Sequence, residues 1–222
     1  MLDLTLIPAI ETTLPPVFHA RHLIDGKWQD SADGATTERR SPSHGVVVSR
    51  AAKGRKAEAE AAITAARAAF DDGRWSQLSG KARAAVLLKV AELIEANTDR
   101  MALIETLESG KPITQARGEV SGAADLWRYA ASLARTLHGD SHNSLGADML
   151  AVVLKEPIGV VSIITPWNFP FWILSQKLPF ALAAGCTAVV KPSEFTSGST
   201  LLLGEILIEA GIPEGVVNII VG

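Results

Sequence analysis

The chain has 222 residues, 47% of them hydrophobic and 20% charged, a composition typical of a globular protein with one large domain or slightly more. Its net charge of −3 and pI of about 6.0 give no electrostatic reason to expect nucleic acid or an acidic membrane surface as a partner. No apolar run reaches the roughly 18 residues of a membrane span, no signal peptide is recognisable, and the single cysteine cannot form an internal disulfide, so we predict a cytoplasmic protein.

The N-terminal part of the sequence predicts an arm followed by short strands. Residues 1–21 are interrupted by prolines and show no hydrophobic period, so we expect an arm rather than a core element. Leu23 and Ile24 lead into Asp25-Gly26, which favours a tight hairpin because glycine adopts a positive φ without a Cβ penalty. Another strand is expected at 46–48.

A helical region follows these strands. Helices are predicted at 57–70, from a cap at Ser79, from Thr98 up to the break at 109–112, and at 113–137. Ile63 and Phe70 are seven residues apart and should share one face of the first helix, whereas Leu103 should point inward from the third. We expect these helices to pack on one another and on a neighbouring sheet.

The last third of the sequence alternates between strand and helix. After a strand predicted at 149–154, strands are expected at 160–164, 188–190 and 216–221, with helices at 171–184 and 199–210 between them. The β-branched run at 160–164 is typical of a parallel strand that is covered on both faces. The order of these elements predicts a doubly wound parallel sheet, so the fold class is α/β.

Asn168 is the first candidate for a functional side chain. It follows the predicted strand at 160–164, and ligands of open α/β sheets bind outside the carboxyl ends of the strands. Its amide offers two uncharged N–H donors, which suit the stabilisation of an oxyanion. The alternative is that Asn168 caps the helix beginning near Pro170.

Lys191 and Glu194 form the second candidate group, at the end of the next predicted strand. A carboxylate at this place can accept hydrogen bonds from both hydroxyls of an adenosine ribose, and an ammonium can donate to the same sugar. The carboxylate would repel a 2′-phosphate, which favours NAD over NADP. The alternative is an exposed lysine and a glutamate that interacts with a helix dipole.

Other chemically suggestive residues have structural interpretations. Cys186 lies at a helix-to-strand turn, on the edge of the sheet opposite the candidate site, and nothing basic is expected beside it, so we interpret it as buried and inert. His138 and His142 lack the spacing of metal ligands, so a solvated turn is expected there and no metal site is predicted.

Several sequence motifs resemble the aldehyde dehydrogenase superfamily. The hexapeptide TPWNFP at 165–170 is followed by KPSE at 191–194, and Lys191 lies 23 residues after Asn168, as in that family. Further similar motifs occur in the family's order: HLIDGKW at 22–28, ESGKP at 108–112 and AGIPEGVVN at 210–218. The resemblance implies an aldehyde dehydrogenase-like fold, with an N-terminal helical and β region and part of a doubly wound, Rossmann-like parallel sheet.

The resemblance also implies roles for individual residues. Asn168 would supply an oxyanion-hole donor. The set that would bind NAD combines the backbone at one strand end with side chains at the next: Ile164, Thr165, Pro166, Trp167, Lys191, Ser193 and Glu194. Lys177 matches a lysine near the family's catalytic pocket, but it could equally extend from an apolar helix into solvent. Three tryptophans are core residues by default and candidates for an aldehyde tunnel: Trp127, Trp167 and Trp172.

The domain organisation follows the same resemblance. We expect an arm at 1–21, the N-terminal part of a cofactor-binding domain at 22–139, and a β-arm of an oligomerisation element at 140–157. The first strands and helices of an incomplete NAD-binding sheet would occupy 158–222. Complete members of the family are homo-oligomeric, so the strand at 149–154 would pair across subunits.

The function implied is oxidation of an aldehyde to a carboxylic acid, with NAD as the hydride acceptor. The family's nucleophilic cysteine and general-base glutamate would lie beyond Gly222, so the chain is interpreted as a fragment that does not oxidise aldehydes alone. The alternative is a truncated, non-catalytic remnant that binds NAD or associates with other subunits. A reductase of acyl-CoA or acyl phosphate is disfavoured, because both TPWNFP and KPSE are typical of the hydrolytic members.

Overall fold

The computed structural model describes residues 17–222 and has an α/β architecture. Ten strands are described: β1 Phe18–Ala20, β2 His22–Ile24, β3 Lys27–Gln29, β4 Thr36–Arg40, β5 Val47–Ala52, β6 Asp140–His142, β7 Ala151–Val153, β8 Val160–Ile164, β9 Thr187–Lys191 and β10 Val217–Ile219. Seven helices are described: α1 Lys56–Asp71, α2 Gly80–Ala96, α3 Thr98–Ser109, α4 Ile113–Thr136, α5 Pro170–Ser175, α6 Leu178–Ala184 and α7 Gly198–Glu209.

The main sheet has five strands in the order β3-β2-β10-β9-β8. Strands β8, β9 and β10 are parallel, and β2 pairs antiparallel with β10. On β9, Val189 packs with Ala62 and Ala66 of α1, whereas Ala188 and Val190 belong to the core that α6 and α7 also enter. Since alternate residues of a strand point to opposite faces, helices cover both faces of β9. The predicted α/β fold is confirmed.

The hairpin predicted at Asp25-Gly26 joins β2 to β3. Both turn residues have positive φ, 51° and 71°, as a two-residue turn of this type requires. The backbone N–H of Asp25 donates to the buried Asn218 side chain at 2.9 Å, and the Asn218 amide donates to the Gly215 carbonyl at 2.7 Å. The hairpin is therefore fixed to the main sheet through β10.

One prediction about a helix face is wrong, because Leu103 of α3, expected to point inward, is 41% exposed. Ile63 of α1 is 52% exposed. The face of α1 that meets the sheet consists instead of alanines, among them Ala62 and Ala66. Small side chains allow a close approach, and the Thr187 hydroxyl of β9 donates to the Ala66 carbonyl at 2.9 Å.

The single helix predicted at 171–184 is two helices in the structure. α5 ends at Ser175 and α6 begins at Leu178. Pro179 explains the break, because proline has no N–H for a helical hydrogen bond and its ring clashes with the carbonyl four residues earlier. Near the start of α6 the same residue is tolerated.

Three further expectations are corrected by the strands. In β8, Ser162 is exposed and Ile164 is 73% exposed, so within the described residues one face of this strand is not covered. The segment expected as a solvated turn contains β6, which pairs antiparallel with β7. Phe18–Ala20, within the predicted arm, is a strand parallel to β5, and the rest of that arm up to residue 16 lies outside the described residues.

The described part of the chain contains no helix that is both long and apolar enough to cross a membrane.

Candidate functional site

The turn that carries Asn168 lies directly after β8. Thr165 is buried and donates its backbone N–H to the Lys191 carbonyl at 3.1 Å, whereas Pro166, Trp167 and Asn168 are exposed. Phe169, with φ of 50° and ψ of 47°, is the N-cap residue of α5. Within residues 17–222 the Asn168 amide makes no hydrogen bond, so it does not cap the helix.

Phe169 adopts a left-handed backbone conformation, which is unusual for a bulky residue, costs about 1–3 kcal/mol and persists only where the surroundings fix it. Two side chains do so. The ammonium of Lys111 lies 5.1 Å from the centre of the Phe169 ring, and a buried oxygen of Glu105 accepts the backbone N–H of Phe171 at 2.9 Å. These two contacts therefore fix the turn in one conformation.

The polar groups that contact this turn come from α3, α4 and the short segment between these helices. Lys111 forms an ion pair with Glu119 and lies 3.7 Å from the second carboxylate oxygen of Glu105. Burial raises the pKa of the Glu105 carboxyl, and Lys111 offsets part of that rise. The buried carboxylate of Glu105 therefore has two partners, the ammonium of Lys111 and the backbone N–H of Phe171 at the start of α5.

The second candidate loop follows β9. Lys191 is half-buried and donates to the Pro192 carbonyl at 2.9 Å, while the Glu194 carboxylate is exposed. Burial lowers the pKa of Lys191, and the charge of Glu194 counteracts this. The Ser193 hydroxyl accepts the Phe195 N–H at 3.3 Å and lies 3.5 Å from a carboxylate oxygen of Glu194.

The structure brings the two loops together at one edge of the sheet. In the β8–β9 register, Ile164 is the partner of Lys191. The hydroxyl of Thr196 donates to the Trp167 carbonyl at 3.2 Å, which links the loop after β9 to the turn after β8. The residues predicted from TPWNFP and KPSE therefore form one continuous surface.

An open groove of about 530 Å³ adjoins this surface. Its lining comes from α1, β8, β9 and the segment after β10, and includes Ile63, Ile164 and Lys191. The exposure of Ile63 and Ile164 is explained by their position in the groove. Its volume is within the range of small-molecule sites, roughly 300–1,000 Å³.

Lys177 is not part of these two loops. It is exposed at the N-cap of α6, and among the described residues its ammonium makes no hydrogen bond or ion pair. Of the three tryptophans, Trp127 is buried and donates from Nε1 to the Ser175 hydroxyl at 3.2 Å. Trp172 is partly buried and Trp167 is exposed beside Asn168.

Cys186 is buried at the helix-to-strand turn, as predicted. The expectation that nothing basic lies near it is wrong, because Arg83 is close enough for an interaction with Cys186 to raise the pKa of Arg83 against the lowering by burial. The Arg83 Nε donates to the Ala183 carbonyl at 3.1 Å, so its side chain is also fixed by backbone. No cluster of three potential metal ligands occurs within residues 17–222.

Sequence reasoning missed the buried acids Glu105 and Glu108 on α3. Each is 1% exposed, and each accepts a backbone N–H at the start of a helix that follows a candidate loop. A signal was present, because both lie on the same face as the apolar Ile104 and Leu107 of α3. Acids at this spacing among apolar residues belong to the buried face of a helix.

Comparisons with known proteins agree with this geometry. A family model described as "Aldehyde dehydrogenase family" matches residues 28–222. Aldehyde dehydrogenase family 2 member C4 of Arabidopsis thaliana is 39% identical over 96% of this chain and 43% of its own length.

Two solved structures have the same fold. The NAD-dependent aldehyde dehydrogenase from Sinorhizobium meliloti is 51% identical and superposes with a TM-score of 0.92, over 94% of this chain and 42% of that one. Betaine aldehyde dehydrogenase from Staphylococcus aureus, in complex with NAD+, is 36% identical with a TM-score of 0.89, over 96% and 42% of the two chains. The chain thus spans about two fifths of the length of the relatives that it matches. It belongs to the aldehyde dehydrogenase family.

Proposed function

We propose that this chain binds NAD and supplies one oxyanion donor for the oxidation of an aldehyde to a carboxylic acid. The observation that carries the proposal is the joining of two polar loops at the carboxyl ends of adjacent parallel strands, through the Thr196–Trp167 hydrogen bond. The similar proteins of known structure include an NAD-dependent enzyme and an NAD+ complex, which supports NAD as the cofactor.

The residues present fit a dinucleotide. The exposed carboxylate of Glu194 can accept hydrogen bonds from the two ribose hydroxyls, and Lys191 can donate to the same sugar. The groove beside Ile164 offers an apolar wall for a planar base. Glu194 would also repel a 2′-phosphate, so NAD is preferred over NADP. When bound, NAD supplies the hydride acceptor for the reaction.

Asn168 has the properties of an oxyanion donor. Its amide is exposed at the mouth of the site and makes no hydrogen bond within the described residues, so both N–H groups are available to a substrate oxygen. The turn that carries it is fixed by Glu105 and Lys111, and preorganised donors stabilise developing charge without reorganisation. Ile164, Thr165, Pro166 and Trp167 would contribute the backbone of the same cleft.

The complete oxidation is proposed for the whole protein, because the chain spans about two fifths of its relatives' length. We expect these 222 residues alone to bind NAD without oxidising aldehydes. Lys177 would line the catalytic pocket, a role that its exposure permits. Association between subunits is a second proposed property, favoured by exposed apolar side chains of the β-arm at 140–157, such as Val152, Val153 and Leu154.

Titration of the chain with NAD by isothermal calorimetry tests the proposal. Glu194→Gln should weaken NAD binding by about tenfold or more, because hydrogen bonds to a charged acceptor contribute about 1.5–3 kcal/mol. The same variant should favour NADP relative to the wild type. Glu209→Gln, which alters an exposed carboxylate at the opposite end of α7, is the matched control. Equal NAD affinity in the wild type and Glu194→Gln would refute the assignment of the ribose site.

A further inference from the structure

Helix α3 places two buried carboxylates beneath the two candidate loops. Glu105 and Glu108 are three residues apart and each is 1% exposed. Glu105 accepts the backbone N–H of Phe171 in α5 at 2.9 Å, and Glu108 accepts that of Gly198 in α7 at 2.8 Å. The first N–H groups of a helix have no partner inside the helix, so each carboxylate satisfies a donor that would otherwise be buried and unpaired.

Helix α7 has no cap of its own at this end. Its N-cap residue, Ser197, has a helical backbone conformation and makes no side-chain hydrogen bond to the helix. Ser197 and Gly198 are both buried, so water is not an adequate partner for these backbone groups. The acceptor comes from Glu108, which lies 90 residues earlier in the chain.

Gly198 packs tightly against α3, and Glu108 makes further hydrogen bonds besides the one to Gly198. A Cβ atom at Gly198 would lie 3.0 Å from the Glu108 oxygen and would collide with Ile104. The other oxygen of Glu108 accepts the Ser49 hydroxyl from β5 at 2.9 Å, and Arg39 of β4 donates to the Glu108 carbonyl at 2.5 Å. Glu108 is therefore fixed to a second sheet while it holds the start of α7.

The start of α7 determines where the second candidate loop lies. Gly198 follows Glu194 by four residues, and the intervening Thr196 and Ser197 are buried. If the first turn of α7 moved, Glu194 would move with it. The turn that contains Trp167 would also move, because the Thr196 hydroxyl is hydrogen-bonded to the Trp167 carbonyl.

We propose that Glu108 is a positioning residue for the NAD-binding loop, because it fixes the backbone of α7 at Gly198 and thereby places Glu194 against the ribose. The inference rests on the proposed function, since it concerns the same cofactor site. Glu105 has the corresponding role for the turn of Asn168 through Phe171. The two carboxylates on one helix hold both loops in register with each other.

The test uses four variants of the chain. Glu108→Met keeps a side chain of similar length but has no acceptor for the Gly198 N–H, whereas Glu108→Gln keeps an acceptor oxygen. Ser49→Ala removes the other hydrogen bond of Glu108 and leaves the Gly198 contact intact, so it is the matched control for loss of stability. Gly198→Ala disturbs the same contact from the other partner, should Glu108→Met not fold.

Two quantities are measured on each folded variant: the NAD dissociation constant by calorimetry, and the exchange rate of the Gly198 amide hydrogen by NMR. Glu108→Met and Gly198→Ala should weaken NAD binding by about tenfold and speed exchange of the backbone amide at position 198, while Glu108→Gln and Ser49→Ala should stay within about threefold of the wild type. This pattern separates positioning from a general loss of stability.

The NAD measurements distinguish failure of the positioning role from failure of the proposed function. If the wild-type chain binds NAD but Glu108→Met binds it equally well, the positioning role is refuted and the proposed function stands. If the wild type binds no NAD, the proposed function fails and the role of Glu108 at the cofactor site fails with it. Gly198 exchange then reports whether Glu108 still fixes α7.

Discussion

The wild-type protein should lose stability as the pH rises, because the buried Glu108 carboxyl then ionises. Replacing Glu108 with glutamine should remove this loss. Burial raises the pKa of the Glu108 carboxyl from 4.5 to about 7, against the hydrogen bonds from Gly198 and Ser49 and the charge of Arg39, and the neighbouring Glu105 adds to the rise. The folded state binds this proton more tightly than the unfolded state does. The contribution of the protonated Glu108 carboxyl to the free energy of unfolding is therefore fully present below the unfolded pKa. It is lost as the pH rises through about 7.

The size of the effect follows from the two pKa values. A difference of this size corresponds to about 3 kcal/mol of unfolding free energy. Glutamine keeps an oxygen for the Gly198 N–H, and its amide N–H can donate to the Ser49 hydroxyl, so it resembles the neutral form of Glu108. The variant should therefore gain stability relative to the wild type as the pH rises.

Urea unfolding of both proteins between about pH 4.5 and pH 8 measures this gain. We expect the difference in unfolding free energy between Glu108→Gln and the wild type to increase by about 2–3 kcal/mol over that interval. Glu209→Gln, which changes an exposed carboxylate, should show a constant difference. Parallel curves for Glu108→Gln and the wild type would refute the reasoning that the buried carboxylate ionises at a cost in the folded protein.

Three further predictions concern other residues. Asn168→Ala should leave the unfolding free energy of the chain within about 0.5 kcal/mol of the wild type, and in the whole enzyme it should lower kcat by about 10²–10³ in steady-state assays. Burial lowers the pKa of His22, so the wild type should lose stability as the pH falls below about 6.5, and urea unfolding of His22→Gln should show a smaller loss. Trp127→Phe removes the hydrogen bond to Ser175 and should lower the unfolding free energy by about 1–3 kcal/mol, measured by the same method; an unchanged value would mean that Ser175 finds another partner.

The parallel sheet and the two candidate loops were predictable because their signals are local. Runs of β-branched residues predicted β8 and β10, and Asp25-Gly26 has the positive φ angles that a two-residue hairpin needs. Asn168 and Glu194 follow consecutive strands in sequence, and parallel strands bring such positions to one edge of a sheet. For these elements the chain order alone implies the spatial order.

The errors, and the exposure of Ile63, arise where a residue's environment is set by distant parts of the chain. Ile63 has the hydrophobicity of a core residue, but the close contact with the sheet selects alanines on α1, and the face of Ile63 meets the groove. The strand β8 has the composition of a strand covered on both faces, yet Ser162 and Ile164, which share one face, are exposed. Pro179 is a local signal, and the break between α5 and α6 could have been predicted from it.

The buried acids of α3 show why the two candidate loops could be predicted from sequence but the contacts that fix them could not. An acid in a helix is usually solvated, and the N–H groups that Glu105 and Glu108 accept lie 66 and 90 residues away in the chain. Sequence position gives no indication of those partners. Only the packing of α3 against α5 and α7 makes the carboxylates acceptors rather than surface charges.

The same packing has a consequence for how the site keeps its geometry. Loops at the edge of a sheet are among the more mobile parts of a fold, whereas the proposed site for ribose and an oxyanion would need donors and acceptors fixed within about 0.5 Å. Here the restraint comes from α3, because Glu105 and Glu108 hold the helices that follow each loop, and Thr196 joins the loops to each other. Substitutions on the buried face of α3 should therefore alter the site as strongly as substitutions in the loops, although Glu105 and Glu108 have no exposed atom that could touch a ligand.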